Sequence, residues 1–410
     1  MIADFKDAFF IVPNHPSERR FFCVEFRGEV YVFRKTTQGS TSAPLTWARV
    51  AALVTRLTMS VIGTVKSRIS TYVDDPLISA FGTKAFRDRQ FAIVLLIWGA
   101  LWFPLSLTKA KRGTTITWTS GVFESTPEGI RVGIKEEMRL DVLSSSQAMV
   151  KVNVLKIKDL HSFVGKLVHI ASIVFTLRPF LTDLHAAIYT VDSKAPPGCI
   201  WQKQILHVLW WIIALLDGKP ITRHYLLAVH LGTGRDLEIN LDASPWGLGG
   251  YLVEDGVITS WFQSKIEPEE AMILDITVGS SSAQQTVEAL AALAALRVWH
   301  SRWCQAGVRL RVRSDSVAAL IVVLKLKTKG RGSSIIAREM ALDIAWSNFS
   351  PHIAEHVPGV ANSVCDALSR KYKPSAKYDF PAELEGVKEV TLPVRNKAYF
   401  KSLVRPPGAH

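Results

Sequence analysis

Two aspartates in a row, Asp74 and Asp75, stand inside ISTYVDDPLIS, residues 69–79. Adjacent carboxylates repel, and a fold keeps both ionised only where something cationic joins them. For oxygen ligands the matching cation is a hard divalent ion such as magnesium. A solvated acidic turn carries the same dipeptide, and most such pairs are no more than that. Other acids sit where patterned segments end: Asp4 in the opening segment, Asp242 after Leu237, Ile239 and Leu241, and Asp315 after Val308, Leu310 and Val312. Glu288 and Asp366 fall in helical patterns, with His356 ten residues and Asn362 four residues before Asp366.

The elements that must hold these residues follow from hydrophobic period. The arms 69–72 and 77–79 are apolar and β-branched, which predicts a tight hairpin with the acids at its tip. Segments 21–26 and 30–33 predict a second hairpin. A small-residue loop, 37–44, leads into a helix with Pro44 suited to its first turn. In that helix Val50, Leu53, Leu57 and Val61 recur at steps of three and four and predict the buried face. Residues 116–123 alternate as a strand pair. From 134 to 217 the pattern is helical, with Leu160, Phe163, Leu167 and Val174 on one stripe and an amphipathic helix expected over 201–216. From 236 on, a strand ending at Asp242, a Gly-rich strand and a third over 257–262 predict an antiparallel meander. A helix over 286–299 carries Glu288 beside its buried stripe of Val287, Leu290, Ala294 and Val298. The strand ending at Asp315 alternates apolar residues with Arg309, Arg311 and Arg313.

Composition bounds the answer. A chain of 410 residues, 48% hydrophobic and 21% charged, is an ordered protein long enough for two to four domains. The formal net charge of +13 and pI near 9.6 favour a polyanionic partner, because cations that neutralise phosphates release condensed counterions. Cys23, Cys199, Cys304 and Cys365 make no zinc spacing and imply free thiols in a reducing compartment. The charged opening MIADFKDAFF excludes a signal-peptide core there. Residues 91–107 are apolar enough to suggest a membrane span, but Pro104 interrupts them at the short limit of span length, and a buried helix leading into a strand is the expectation.

The Tyr72-Val73-Asp74-Asp75 hairpin resembles the Tyr-x-Asp-Asp signature of a reverse-transcriptase palm. The opening Asp4-Phe5-Lys6-Asp7-Ala8-Phe9 resembles the same family's D-x-x-D-A-F/Y element. This resemblance implies that Asp4, Asp74 and Asp75 are catalytic metal ligands for two magnesium ions, with manganese an alternative. By the same resemblance Phe9 is a steric gate under the incoming sugar, Gln38 and Gly39 contact the nascent base pair, and Lys109 approaches the incoming nucleotide. Gly165-Lys166-Leu167 and Arg178-Pro179-Phe180 resemble the thumb of retroelement polymerases, closest to the DIRS and gypsy groups. There Lys151, Lys156, Lys158 and Lys166 either line a duplex phosphate track or form a solvated helix face. The ordered set Asp242, Glu288, Asp315 and Asp366 resembles the four acids of ribonuclease H, which implies a second two-magnesium site with His356 near the scissile phosphate.

The fold class implied is α+β multidomain: a reverse-transcriptase palm over 1–125, a helical thumb or connection over 126–235, and a ribonuclease H-like α/β domain with a five-stranded mixed sheet over 236–372. A tail or linker is expected over 373–410. By the same resemblance the family's fingers would precede Asp4, and a palm truncated on that side is the expectation. The function implied is RNA-directed DNA polymerase with ribonuclease H, from a retrotransposon; the alternatives are a fragment that keeps only the ribonuclease H or only nucleic-acid binding. Expected partners are RNA template, DNA primer, RNA:DNA hybrid and deoxynucleoside triphosphates, with no membrane. The expected location is intracellular, cytoplasmic or nuclear, and not secreted.

Overall fold

The computed structural model describes residues 1–190, 194–218, 221–305, 307–328, 330–347, 353–374 and 377–406. They form two compact units, Met1–Glu124 and Ser125–His410. The sequence divides the chain into four segments; the second unit takes in the last three.

In the first unit β1 (Cys23–Phe26) and β2 (Glu29–Val32) form a hairpin whose turn places Arg27 and Gly28 at positive φ. Helix α1 (Ala43–Ile62) is followed by the acidic hairpin, β3 (Ser67–Tyr72) and β4 (Asp75–Ala80), then by α2 (Lys84–Ala100). β5 (Thr115–Trp118) and β6 (Gly121–Thr126) pair after it. Helix α1 does not bury the expected face. Trp47, Ala51, Val54, Thr58 and Ile62 are buried, whereas Leu53 is 51% and Val61 64% exposed. Both rows obey the three-four rule; the row carrying Trp47 wins because it alone reaches the aromatic cluster of Phe5, Trp98 and Phe103. Of the apolar run 91–107, α2 takes residues up to Ala100 and buries Phe91, Val94 and Trp98. Among the described residues α1 is the one helix long and apolar enough to cross a membrane by length and composition. It carries Arg49 and Arg56, and its Trp47 row lies in the unit core.

The second unit opens with β7 (Gly129–Ile134), α3 (Glu136–Val150), β8 (Val154–Lys156), α4 (Ile157–Ile173), α5 (Arg178–Tyr189), β9 (Cys199–Trp201), α6 (Leu206–Asp217), β10 (Arg223–Leu226) and α7 (Leu227–Leu231). The expected stripe of Leu160, Phe163, Leu167 and Val174 is buried. The helix expected from 201 begins at Leu206, because residues 199–201 are taken by a strand pairing with β8. Then come β11 (Arg235–Ser244), β12 (Gly247–Glu254), β13 (Val257–Lys265), α8 (Pro268–Leu274), α9 (Gln284–Val298), α10 (His300–Trp303), β14 (Val308–Ser314), α11 (Val317–Lys325), α12 (Arg331–Ser347), β15 (Ile353–His356), α13 (Ser363–Arg370) and β16 (Lys388–Glu389).

Strands β15-β14-β11-β12-β13-β16 form a mixed sheet of six strands, where five were expected. The sixth comes from the segment expected to be a tail. β16 pairs with β13, and Trp261 Nε1 donates to Val387 O at 3.0 Å. Further on, Phe400 is fully buried, and Arg395 ion-pairs with the fully buried Glu270, Nη2 to Oε1 at 2.8 Å. Residues 377–406 therefore act as a strap over the second unit. Its end is bound by Glu339, whose carboxylate accepts from Lys401 N at 3.0 Å, Ser402 N at 2.6 Å and Arg297 Nη2 at 2.6 Å. Its apolar residues follow no helix or strand period, and it is held by the buried Leu384 and Phe400 together with buried charge pairs.

Candidate active sites

In the first unit Asp4 is carried by an extended segment laid against β4. Ala3 N donates to Pro76 O at 3.1 Å, Phe5 N to Asp74 O at 2.8 Å, and Ser106 N to Asp4 O at 2.9 Å. Burial of Phe5 at 4.9 Å from Trp98 and 5.5 Å from Trp47 fixes the segment, and so fixes the residue beside it. Pro76 costs the hairpin no ladder bond. A strand residue points its N and C=O the same way, and the Pro76 carbonyl faces Ala3, so the missing N–H is on that side rather than toward β3. The hairpin tip is held by Trp47 Nε1, which donates to Val73 O at 2.6 Å while Val73 sits at φ 53°. A β-branched residue at positive φ is strained, and the indole bond holds it there.

Asp4, Asp74 and Asp75 thus come together at one edge. The Asp75 carboxyl is pushed above its ordinary value by burial, then by the charges of Asp74 and Asp4, with Lys109 opposing. Lys109 Nζ ion-pairs with Asp4 Oδ2 at 2.9 Å, and this bond raises the ammonium above its ordinary value. Phe9 is half-buried against the unit core, and Gln38 and Gly39 lie in an exposed turn before α1 with Gly39 at φ 89°. No hydrogen bond joins these three to the acids among the described residues.

In the second unit β11 and β14 run parallel, so Asp242 near the end of one and Asp315 just past the end of the other emerge side by side. Asp242 pairs across the ladder with Gly249. A Cβ on Gly249 would lie 2.5 Å from Leu368 Cβ and 2.8 Å from Cys365 O, so α13 rests directly on strand backbone there. That contact brings Asp366, in the first turn of α13, over Asp242. Ser369 Oγ donates to Asp242 Oδ2 at 2.8 Å, and Asn362 Nδ2 donates to Leu241 O at 3.2 Å. Glu288 reaches the same place from α9. Gln284 Nε2 donates both to Glu288 Oε1 at 2.9 Å and to Ala243 O at 2.7 Å, and Ser316 Oγ donates to Glu288 Oε2. His356, at the exposed end of β15, lies opposite Ser314 in the register, one residue before Asp315.

Burial is the main reason the Asp242 carboxyl is pushed up to about 7; the Ser369 hydroxyl opposes it, and the charges of Asp315 and Asp366 add to it. The donor set, all carboxylate oxygens around one destabilised charge, suits a hard divalent cation. As they stand, no three His, Cys, Asp or Glu side chains converge to hold an ion among the described residues. Asp366 is turned to Arg370 Nε at 2.7 Å, an exposed pair of the kind worth about 0–1 kcal/mol, which a cation can displace. Ser369, Gln284 and Ser316 were missed by the sequence reading. Each lies within four residues of an acid, but hydroxyl and amide residues are too common for that spacing to single them out.

No protein-family model and no curated protein matches the chain. Among solved structures it is similar to a foamy viral protease-reverse transcriptase in complex with RNA/DNA hybrid, at TM-score 0.46 and 14% identity over 93% of this chain and 46% of that one. The dRH form of a foamy viral protease-reverse transcriptase in complex with ds DNA gives TM-score 0.47 and 16% identity over 87% of this chain and 57% of that one. A further structure with dsDNA gives TM-score 0.45 and 18% identity over 77% and 59%. The chain spans about half the length of these solved proteins.

Proposed function

We propose that the second unit is a metal-dependent nuclease that cuts the RNA strand of RNA:DNA hybrids, as the resemblance of its acids to ribonuclease H implies. The observation that carries this reading is the crowding of carboxylate charge around the buried Asp242. Burial and the charges of Asp315 and Asp366 make its ionised form unfavourable without a cation, while Gln284 ties Glu288 to the same strand end. Asp242, Glu288, Asp315 and Asp366 would hold two magnesium ions, which supply an activated water and charge stabilisation at the departing 3′-oxygen. The chain's own residues do the positioning. Ser369 orients the Asp242 carboxylate, Gln284 and Ser316 orient Glu288, and His356 stands exposed beside the Asp315 strand end, where it can exchange a proton with solvent near the scissile phosphate.

The first unit supports a second activity. Asp4, Asp74 and Asp75 share one edge, where burial and the charges of Asp74 and Asp4 raise the cost of ionising Asp75, which fits magnesium-assisted nucleotidyl transfer from deoxynucleoside triphosphates to a DNA primer on an RNA template. Lys109 ion-pairs with Asp4 and would have to yield it to a cation for that chemistry.

The test is cleavage of a labelled RNA:DNA hybrid by the purified chain in magnesium, beside Asp242→Asn and Asp315→Asn. Cleavage by the parent and by neither variant supports the nuclease; a folded parent that binds hybrid and cuts nothing in magnesium or manganese overturns it in favour of binding alone. Primer extension with Asp74→Asn tests the first unit in the same way.

A further inference from the structure

Away from the acids, the second unit holds a cavity of about 760 Å³ between α5, the start of α6, the end of α8, the first turns of α12 and the strap. Its charged lining is uneven. Arg331, Arg338 and Lys397 face one carboxylate, Asp183, with His207 beside it.

Asp183 is already neutralised. It ion-pairs with Arg338 and lies 3.2 Å from His207 Nε2, and although burial opposes, these two hold its carboxyl below the ordinary range. Arg338 is itself 6% exposed, and its Nε has no partner. The side chains of Arg331 and Lys397 have no ion-pair partner among the described residues. Arg331 and Lys397 therefore line the concavity outside the Arg338–Asp183 pair, with the buried Arg338 guanidinium behind them; the further carboxylate at this place, Glu269, accepts from the Lys397 backbone N at 3.2 Å.

The rest of the lining is apolar: Met272, Ile273, Ile335 and Leu403 among others. A pocket of this size, mostly apolar with a few convergent polar groups, has the anatomy of a small-molecule site. Arginine donors in a fork, with a lysine beside them, match phosphate oxygens. We propose that this cavity binds a small organic phosphate of mononucleotide size, its phosphate held by Arg331, Lys397 and Arg338 and its base or other flat body against the Met272–Ile335 wall.

The proposal is independent of the nuclease reading. It is tested by calorimetric titration of the full chain, without divalent cations, using adenosine 5′-monophosphate, inorganic phosphate and adenosine. The double variant Arg331→Ala/Lys397→Ala removes exposed side chains only, so its fold is checked by an unchanged melting temperature; Arg338→Lys serves as a second, charge-retaining variant. Saturable binding of the monophosphate, weaker binding of phosphate and none of adenosine are expected, with at least a tenfold loss in the double variant and a smaller loss in Arg338→Lys. Asp242→Asn leaves the affinity unchanged, which separates the cavity from the acid site. No saturation by the monophosphate, equal binding of adenosine, or equal affinity in the double variant overturns the proposal.

Discussion

Replacing Gly249 by alanine tests whether the contact between α13 and strand β12 is what assembles the acids around Asp242. The new methyl would meet Leu368 Cβ at 2.5 Å, Cys365 O at 2.8 Å and Ser369 N at 2.8 Å. Ordinary carbon contacts lie near 3.5–4.0 Å, so α13 must lift by about 1 Å. Two of the three atoms are backbone, which no rotamer change relieves. Overpacking of this kind costs about 1–3 kcal/mol, and the strand conformation at Gly249 adds no strain of its own because its φ is not positive. The lift carries Asp366 away from Asp242 and stretches the Ser369 bond. A misplacement of about 1 Å at a reacting centre costs roughly a hundredfold in rate. Hybrid cleavage and urea unfolding should be measured on one preparation. The expected result is a folded, modestly destabilised chain with cleavage down about a hundredfold. Cleavage at the parent rate in Gly249→Ala would refute the argument, since it would mean that α13 does not need this seat.

Other expectations follow from the same structure. Because the folded Asp242 carboxyl titrates near 7 rather than 3.8, the folded state holds more protons than the unfolded one between those values. In chelator, stability should therefore fall as pH rises through that window, by up to roughly 1.4 kcal/mol per pH unit, and Asp242→Asn should remove that slope. An equal slope in both chains would count against it. Phe5→Ala empties the centre of the first unit's aromatic cluster and should cost about 3–5 kcal/mol, read by denaturant unfolding, with primer extension lost alongside. Arg395→Met leaves Glu270 buried without its partner and should cost about 3–5 kcal/mol, whereas Arg395→Met with Glu270→Met should recover most of it in the same assay.

The places of Asp242 and Asp315 near strand ends were legible in the sequence because strand alternation tells where a strand ends. What holds them was not. Ser369 and Gln284 owe their roles to a helix resting on one strand and to a carbonyl at the end of another, and neither contact leaves a period in the chain. Helix α1 misled for a different reason: it is apolar on two sides, so spacing alone could not choose between the Trp47 and Leu53 rows. The strap escaped notice because its anchors, Leu384, Phe400 and the Arg395–Glu270 pair, are scattered along it with no helix or strand period.

That strap sets the order in which the second unit can be made. Trp211 Nε1 donates to Ser402 O at 3.1 Å across 191 residues of chain, and Phe400 enters the same core as α6 and α12. Contacts so distant in sequence form late, since the loop they close must be ordered first. At a synthesis rate of roughly 5–20 residues per second, the groove for Phe400 stands open for on the order of ten seconds or more after α6 has left the ribosome. The nascent second unit thus presents a ready-made hydrophobic slot, and a chaperone that covers that slot would need to release it only when residue 402 arrives.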